Sequence, residues 1–256
     1  MPFTVSHAVV ALPFVRTPLL PAAIAIGAMT PDLPLFVRGT PVSYQLTHTN
    51  LLVSTAIAAV LTVIWYVVLR PAVRSLSPRW IAARVPAVWD RPGVPQWWSR
   101  RPAWQSAVLA ALSLLLGVAT HIAWDAFTHE GRWGTRLFPA LGAQWGPLLG
   151  LKWLQYGSTA FGLIVLALAA ALWLRGRRAE SATTGIPPIV RYLWWLSLPV
   201  VLLAAWLLGL AVYGPFTPAW TVQHLAYRVL PPACALWGAA TLVLCVVIAV
   251  RGRRAA

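Results

Sequence analysis

Five runs of about twenty apolar residues dominate this chain, at approximately Leu51–Leu69, Trp104–Trp124, Leu154–Leu174, Tyr192–Tyr213 and Leu230–Val250. A helix needs about twenty such residues to cross a hydrocarbon core of roughly 30 Å. In lipid, a helix also satisfies its own backbone polar groups within one segment. The runs therefore predict an all-α fold, a polytopic transmembrane helical bundle. Composition agrees, with 59% hydrophobic and 10% charged residues, where soluble domains carry about a quarter charged. Trp104, Trp124, Trp153, Tyr192 and Tyr213 fall at the ends of runs, the places where aromatic rings anchor at the membrane interface.

The net charge of +15 would suggest nucleic acid only if the basic residues formed one patch. Instead they lie in short clusters between the apolar runs, which excludes a nucleic-acid partner and gives the charge a topogenic role. Fourteen of the twenty basic residues fall in residues 70–103, residues 175–191 and the tail after the last run. By the positive-inside rule those segments and the C-terminus are cytoplasmic. The connections 125–153 and 214–229 then face outward. The basic residues include a single lysine, and Ala, Arg, Pro and Trp are abundant. That bias suggests a GC-rich bacterial genome and hence a bacterial cytoplasmic membrane. No basic residue precedes Arg16, so the start lacks the positive region of a cleavable signal. Cys234 and Cys245 are eleven residues apart, about 16 Å on a helix, too far to pair within it.

Residues 1–50 read differently, because Pro13, Pro18 and Pro21 interrupt their apolar stretch and Arg16 sits within it. Proline inside a helix removes a hydrogen bond and clashes with the preceding turn. Two short helices follow, near Thr4–Val15 and Leu19–Met29, forming a re-entrant or interfacial hairpin on the outer side. A single kinked span also fits this stretch and would put His7 on the opposite face. The expected organisation is one membrane domain over 1–256, with a hairpin over 1–49 and a five-span bundle over 50–256.

Only five histidines and five acidic residues occur, so their placement is informative. His7, Asp32, His48, His121, Asp125, His129 and Glu130 all fall at or near outer helix ends under the hairpin reading. Ionisable groups at membrane depth are costly unless paired, solvated or metal-bound, which makes a functional site the default expectation. His121 and Asp125 are four residues apart, and on a helix such side chains share a face with Cβ atoms about 5–6 Å apart. That spacing suits one metal ion between them, or a hydrogen-bonded pair capping the helix. Asp32 lies in a Pro-Asp-Leu-Pro turn and His48 in Thr47-His48-Thr49; alone, each is ordinary turn or interface chemistry. Together with Ser6-His7 they supply the nitrogen and oxygen donors of a zinc-type site. His129 is placed to complete the shell. Glu130 is the candidate general base, and Lys152, Gln155 and Tyr156 are candidate contacts for an anionic headgroup. His224 reads as a surface histidine.

The order Ser-His, Pro-Asp, Thr-His-Thr and His-x-x-x-Asp-x-x-Thr-His resembles an uncharacterised bacterial family of predicted integral membrane proteins. Its members commonly begin Met-Pro-Phe-Thr-x-Ser-His-Ala, as this chain does from Met1 to Ala8. The stretch Leu151–Ser158 is similar to that family's later motif. More distantly, the pattern is similar to predicted membrane-bound metal-dependent hydrolases and to zinc-dependent phospholipases C, although this chain lacks the latter's further His-x-x-x-Glu pair. The resemblance implies metal-assisted hydrolysis of a phosphoester or lipid. A non-catalytic membrane protein with a structural His/Asp or metal cluster is the other reading. Transport is disfavoured, because the last three runs are almost free of ionisable residues where transporters place polar groups at the midplane. Membrane lipids are the expected partners.

Overall fold

The structure, a computed structural model, describes residues 3–181 and 186–254. Met1 and Pro2 of the opening motif lie outside the described residues. The fold is helical, and five helices among the described residues are long and apolar enough to cross a membrane: Leu51–Leu76 (α3), Ala103–Thr128 (α4), Gly150–Arg175 (α5), Pro188–Tyr213 (α6) and Val222–Arg251 (α7). Before them come a 3-10 helix at Thr4–Phe14 and the short helices Pro21–Met29 (α1) and Tyr44–Thr49 (α2). The chain is thus a multi-pass membrane protein whose N-terminal stretch is broken into two short helices, separated where Pro18 and Pro21 fall. Val60, Leu112, Ile164, Leu168, Leu203 and Val243, all within the long helices, are exposed. Helices apolar on every side, yet uncovered by protein, are suited to a lipid surround.

The chain divides into two compact units. The first comprises Met1–Leu33, Val42–Val63 and Val94–Gly176, and the second Pro34–Pro41, Ile64–Gly93 and Arg177–Ala256. In the first unit, proline and small polar residues set the helix starts. Pro21 opens α1, where its missing N–H is no loss. The Ser43 hydroxyl accepts from Leu46 N at 3.1 Å to cap α2, and the Asn50 side chain accepts from Val53 N at 3.0 Å at the start of α3. A two-stranded antiparallel hairpin, Gln144–Trp145 (β1) with Leu148–Leu149 (β2), precedes α5. It turns at Gly146, whose φ of 66° suits glycine.

In the second unit, α6 and α7 pack with the C-terminal part of α3 around Ala72, Leu76, Ile186 and Cys245. Both cysteines are free. The expected first span ended at Leu69, but α3 continues to Leu76 through a wide turn at Trp65–Leu69. Pro71 follows directly; it has no N–H to donate, and a π-type turn absorbs the mismatch. The added turns bury Arg70 and Arg74. Arg74 pairs with Asp90 at 2.6 Å, and Arg70 donates to Arg91 O at 2.7 Å. Arg191 donates to Ser75 O at 3.0 Å and Trp195 to Leu76 O at 2.8 Å. These side chains thus cover carbonyls at the end of α3 that have no helical partner.

Candidate metal centre

The site in the first unit begins with two glycines. A Cβ on Gly27 of α1 would lie 2.7 Å from Leu114 O, and one on Gly117 of α4 would lie 2.8 Å from Ala28 N and 3.0 Å from Gly27 Cα. Only glycine at both positions lets the two backbones approach so closely, the small-residue packing familiar between membrane helices. Ala23, Ile24 and Ala28 are fully buried beside them. Two hydrogen bonds fix the register: Leu20 N donates to Ser113 Oγ at 3.0 Å, and His121 Nδ1 lies 2.7 Å from Ala28 O.

The second bond decides what His121 can do. With Nδ1–H given to a carbonyl, Nε2 presents a lone pair. His48 repeats the arrangement, with Nδ1 2.9 Å from Tyr44 O, and so does His129, with Nδ1 3.1 Å from Asp125 O. Backbone carbonyls orient metal-binding imidazoles in this manner. Asp32, in the 3-10 turn Thr30–Asp32, is held by the Thr4 hydroxyl, which donates to its Oδ2 at 2.8 Å. Thr47 Oγ1 donates to Pro31 O at 2.7 Å and ties α2 to that turn.

The groups so oriented converge. Asp32, His48, His121 and Asp125, all buried, each offer a ligand atom within 4.8 Å of the others and can hold a metal ion. His48 Nε2 and His121 Nε2 each lie 3.4 Å from Asp125 Oδ2, and His121 Nε2 lies 3.7 Å from Asp32 Oδ1. Ligand bonds of about 2.0–2.1 Å in a tetrahedron separate neighbouring donors by roughly 3.3 Å, so these spacings fit. His7 approaches from the N-terminal helix, its Nε2 4.0 Å from Asp125 Oδ1 and its ring centroid 4.1 Å from that of His121. The Nε2 atoms of His7, His48, His121 and His129 and the Oδ1 of Asp32 are buried with no hydrogen-bond partner. Buried polar atoms are otherwise almost always paired, and the unpaired atoms of His7, His48, His121 and Asp32 gathered beside Asp125 are donors suited to a cation.

Burial shapes the electrostatics of the outlying members. Burial first, and then the neighbouring His121, lower the His7 pKa from 6.5 to about 3, keeping its ring neutral. Burial pushes the Asp32 carboxyl up from its ordinary value, against the pull of His121. Burial lowers His129. It raises the Tyr44 phenol, with the Asp125 charge adding to the effect. The Tyr44 hydroxyl therefore stays protonated and donates to Asp125 Oδ2 at 3.3 Å, while its ring stacks on His48 at 3.7 Å.

The remaining residues singled out from the sequence are not among these four grouped ligands. Glu130 is exposed in the turn beyond α4. On α5, Lys152 donates to Gln155 Oε1 at 3.1 Å, and Gln155 is buried with its Nε2 unpartnered. Tyr156 is exposed. His224 is exposed, accepting from Thr221 N at 3.2 Å and stacking on Trp220. Sequence reasoning missed the roles of Gly27, Gly117, Thr4 and Tyr44. Tyr44 was findable, since it precedes His48 by four residues and so shares its helix face.

A helical multi-pass membrane protein with a buried His/Asp group able to hold a metal ion is the class that fold and site define. The chain belongs to a family described as a domain of unknown function, DUF4184, whose model matches residues 1–250. No curated protein and no solved structure matches it.

Proposed function

We propose that this protein is a membrane-embedded metal-dependent hydrolase acting on a phosphoester or lipid at the outer face of a bacterial cytoplasmic membrane. The observation that carries the reading is the set of buried, unpartnered donor atoms around Asp125. Asp32, His48, His121 and Asp125 would hold the ion, with His7 and His129 flanking it. Imidazole with carboxylate and no thiolate suits zinc or a neighbouring divalent transition metal. A bound ion of this kind lowers the pKa of its water towards about 7 and polarises a phosphoryl oxygen.

The chain's own residues supply the rest. Tyr44 and Thr4 hold the two carboxylates in place through their hydroxyls. His129 opens the group on one flank, with a side chain 21% exposed where that of Asp125 is 2% exposed. A catalytic metal keeps one coordination position for water, and this flank is where water would reach the ion. Water attacking phosphorus would pass its proton to His129 and on to the exposed Glu130, and as the ester P–O bond breaks the departing alkoxide would take a proton from solvent and leave as an alcohol. Lys152, Gln155 and Tyr156 would meet the anionic headgroup. Membrane lipids are the proposed partners.

A structural role is the second reading, favoured by the group's origin in four separate segments, which an ion would tie together. Release of alcohol and phosphomonoester from a phosphodiester by the metal-loaded protein, abolished in His121→Ala, is the outcome expected of the enzyme. Stoichiometric metal without turnover on a phosphodiester and phospholipid panel would leave the structural role.

A further inference from the structure

Beside the cluster lies a cavity of about 280 Å³ between the N-terminal 3-10 helix, α4 and α5, walled mainly by Val9, Val10, Trp124 and Phe161. Its polar residues include Ser6 and His7, and His7 is the member that also reaches the metal group, 4.0 Å from Asp125. Two of its walls are membrane-spanning helices. Phe161 is 66% exposed and Trp124 39% exposed, so two of the cavity's apolar walls reach the protein surface. Among the lining residues Trp124 Nε1 donates to Ser158 Oγ at 3.2 Å, linking α4 to α5. Gly162 of α5 admits the N-terminal helix beside this cavity, since a Cβ there would lie 2.8 Å from Ser6 O.

An apolar pocket with one ionisable end discriminates between ligands. A water-soluble phosphoester would leave its polar groups unpaired against Val9, Val10 and Phe161, which is costly. A hydrocarbon chain would bury favourable area there. We propose that the cavity holds one acyl chain of a membrane lipid, admitted sideways from the bilayer between α4 and α5, with the lipid's ester and headgroup drawn up to His7 and the metal centre. As a statement about substrate, this rests on the hydrolytic reading above. The chain-binding site is defined by the cavity itself.

The test uses full-length protein in phosphatidylglycerol–phosphatidylethanolamine nanodiscs containing a phospholipid with a diazirine midway along one acyl chain. After illumination, labelled residues are mapped and the metal content of the same samples is measured. The expected result is labelling of Val9 and Val10 above that of Leu168 and Leu172, which are exposed elsewhere on α5. It should be lost in Val10→Trp and in Thr120→Leu, which fill the cavity from opposite walls, while Leu168 and Leu172 labelling and metal content stay unchanged. Wild-type protein that holds metal but labels Val9 and Val10 no more than the reference residues overturns the proposal and leaves the hydrolase reading standing. Labelling that survives both filling variants overturns it as well. Wild-type protein that labels as expected but holds no metal supports the lipid site and removes the hydrolase reading instead.

Discussion

His121 makes one contact outside the cluster, to Ala28 O, and that contact frees its other nitrogen for a ligand. The same economy holds for Tyr44, whose hydroxyl reaches Asp125 while its backbone carbonyl receives His48. Outer contacts of this kind tune metal affinity by about 10–100-fold. Tyr44→Phe should therefore weaken metal binding by roughly that factor without unfolding the protein, as a chelator competition titration would show; an unchanged affinity would remove Tyr44 from the site. The pH dependence has a definite sign. Metal binding requires neutral imidazole and ionised carboxylate. His7 is held neutral, its pKa about 3, so it does not compete for protons near neutrality. Burial raises the Asp32 carboxyl, so its protonation sets in at a higher pH than that of an ordinary aspartate and opposes metal binding as pH falls. Metal affinity should thus decline on acidification, and Asp32→Asn should bind more weakly but with a flatter profile, measured by the same titration at stepped pH. At this scale the sequence was most legible: rare ionisable residues in an apolar chain must be paired somewhere, and their positions at helix ends suggested where. Thr4 and Tyr44 were hidden because a hydroxyl is unremarkable until a carboxylate stands opposite it.

Between elements, the decisive contact is the crossing of α1 and α4. In the Thr4–Phe14 helix, three residues per turn align Thr4, His7 and Val10, so one face carries the Asp32 partner, the flanking histidine and a cavity wall. The docking of α1 depends on backbones that meet where Gly27 and Gly117 fall. Gly117→Ala places a methyl against the backbone of α1, and overpacking of this kind costs about 1–3 kcal/mol. Because the displaced α1 carries Ala28 and leads to Asp32, metal should be lost along with stability. Elemental analysis beside thermal unfolding of the variant checks this, and full metal retention would show that the close crossing is dispensable. The spans themselves were readable because length and apolarity alone define them. The crossing was not, since nothing in Gly27 or Gly117 taken singly marks a contact ninety residues apart in the chain. The extension of α3 to Leu76 was missed for a related reason: Arg70 and Arg74 look like a loop until Asp90 and backbone carbonyls of residues 82 and 91 are seen to receive them.

For the whole molecule, the distribution of basic residues predicts which connections face which side. We propose from the distribution of arginine that the hairpin β1–β2 and the end of α4 face outward and that the segment between α5 and α6 faces the cytoplasm. With Cys234 and Cys245 replaced by serine, Ala143→Cys should react with a membrane-impermeant maleimide in intact cells and Ala179→Cys only after permeabilisation. Both positions are exposed. The reverse pattern would place the metal group on the cytoplasmic side and require a different substrate pool. Charge asymmetry is the signal behind this proposed orientation, whereas the division into two compact units is not marked by the apolar runs, since α3 contributes to both.

The central claim is that the buried His/Asp group binds a metal ion, and its direct test is the elemental content of detergent-purified protein, wild type beside His121→Ala and Asp125→Ala. Near-stoichiometric zinc or a neighbouring transition metal in the wild type, absent from both variants, is the predicted result. Wild-type protein that holds no metal after supply and mild dialysis would contradict the account and leave the cluster as a buried hydrogen-bonding core.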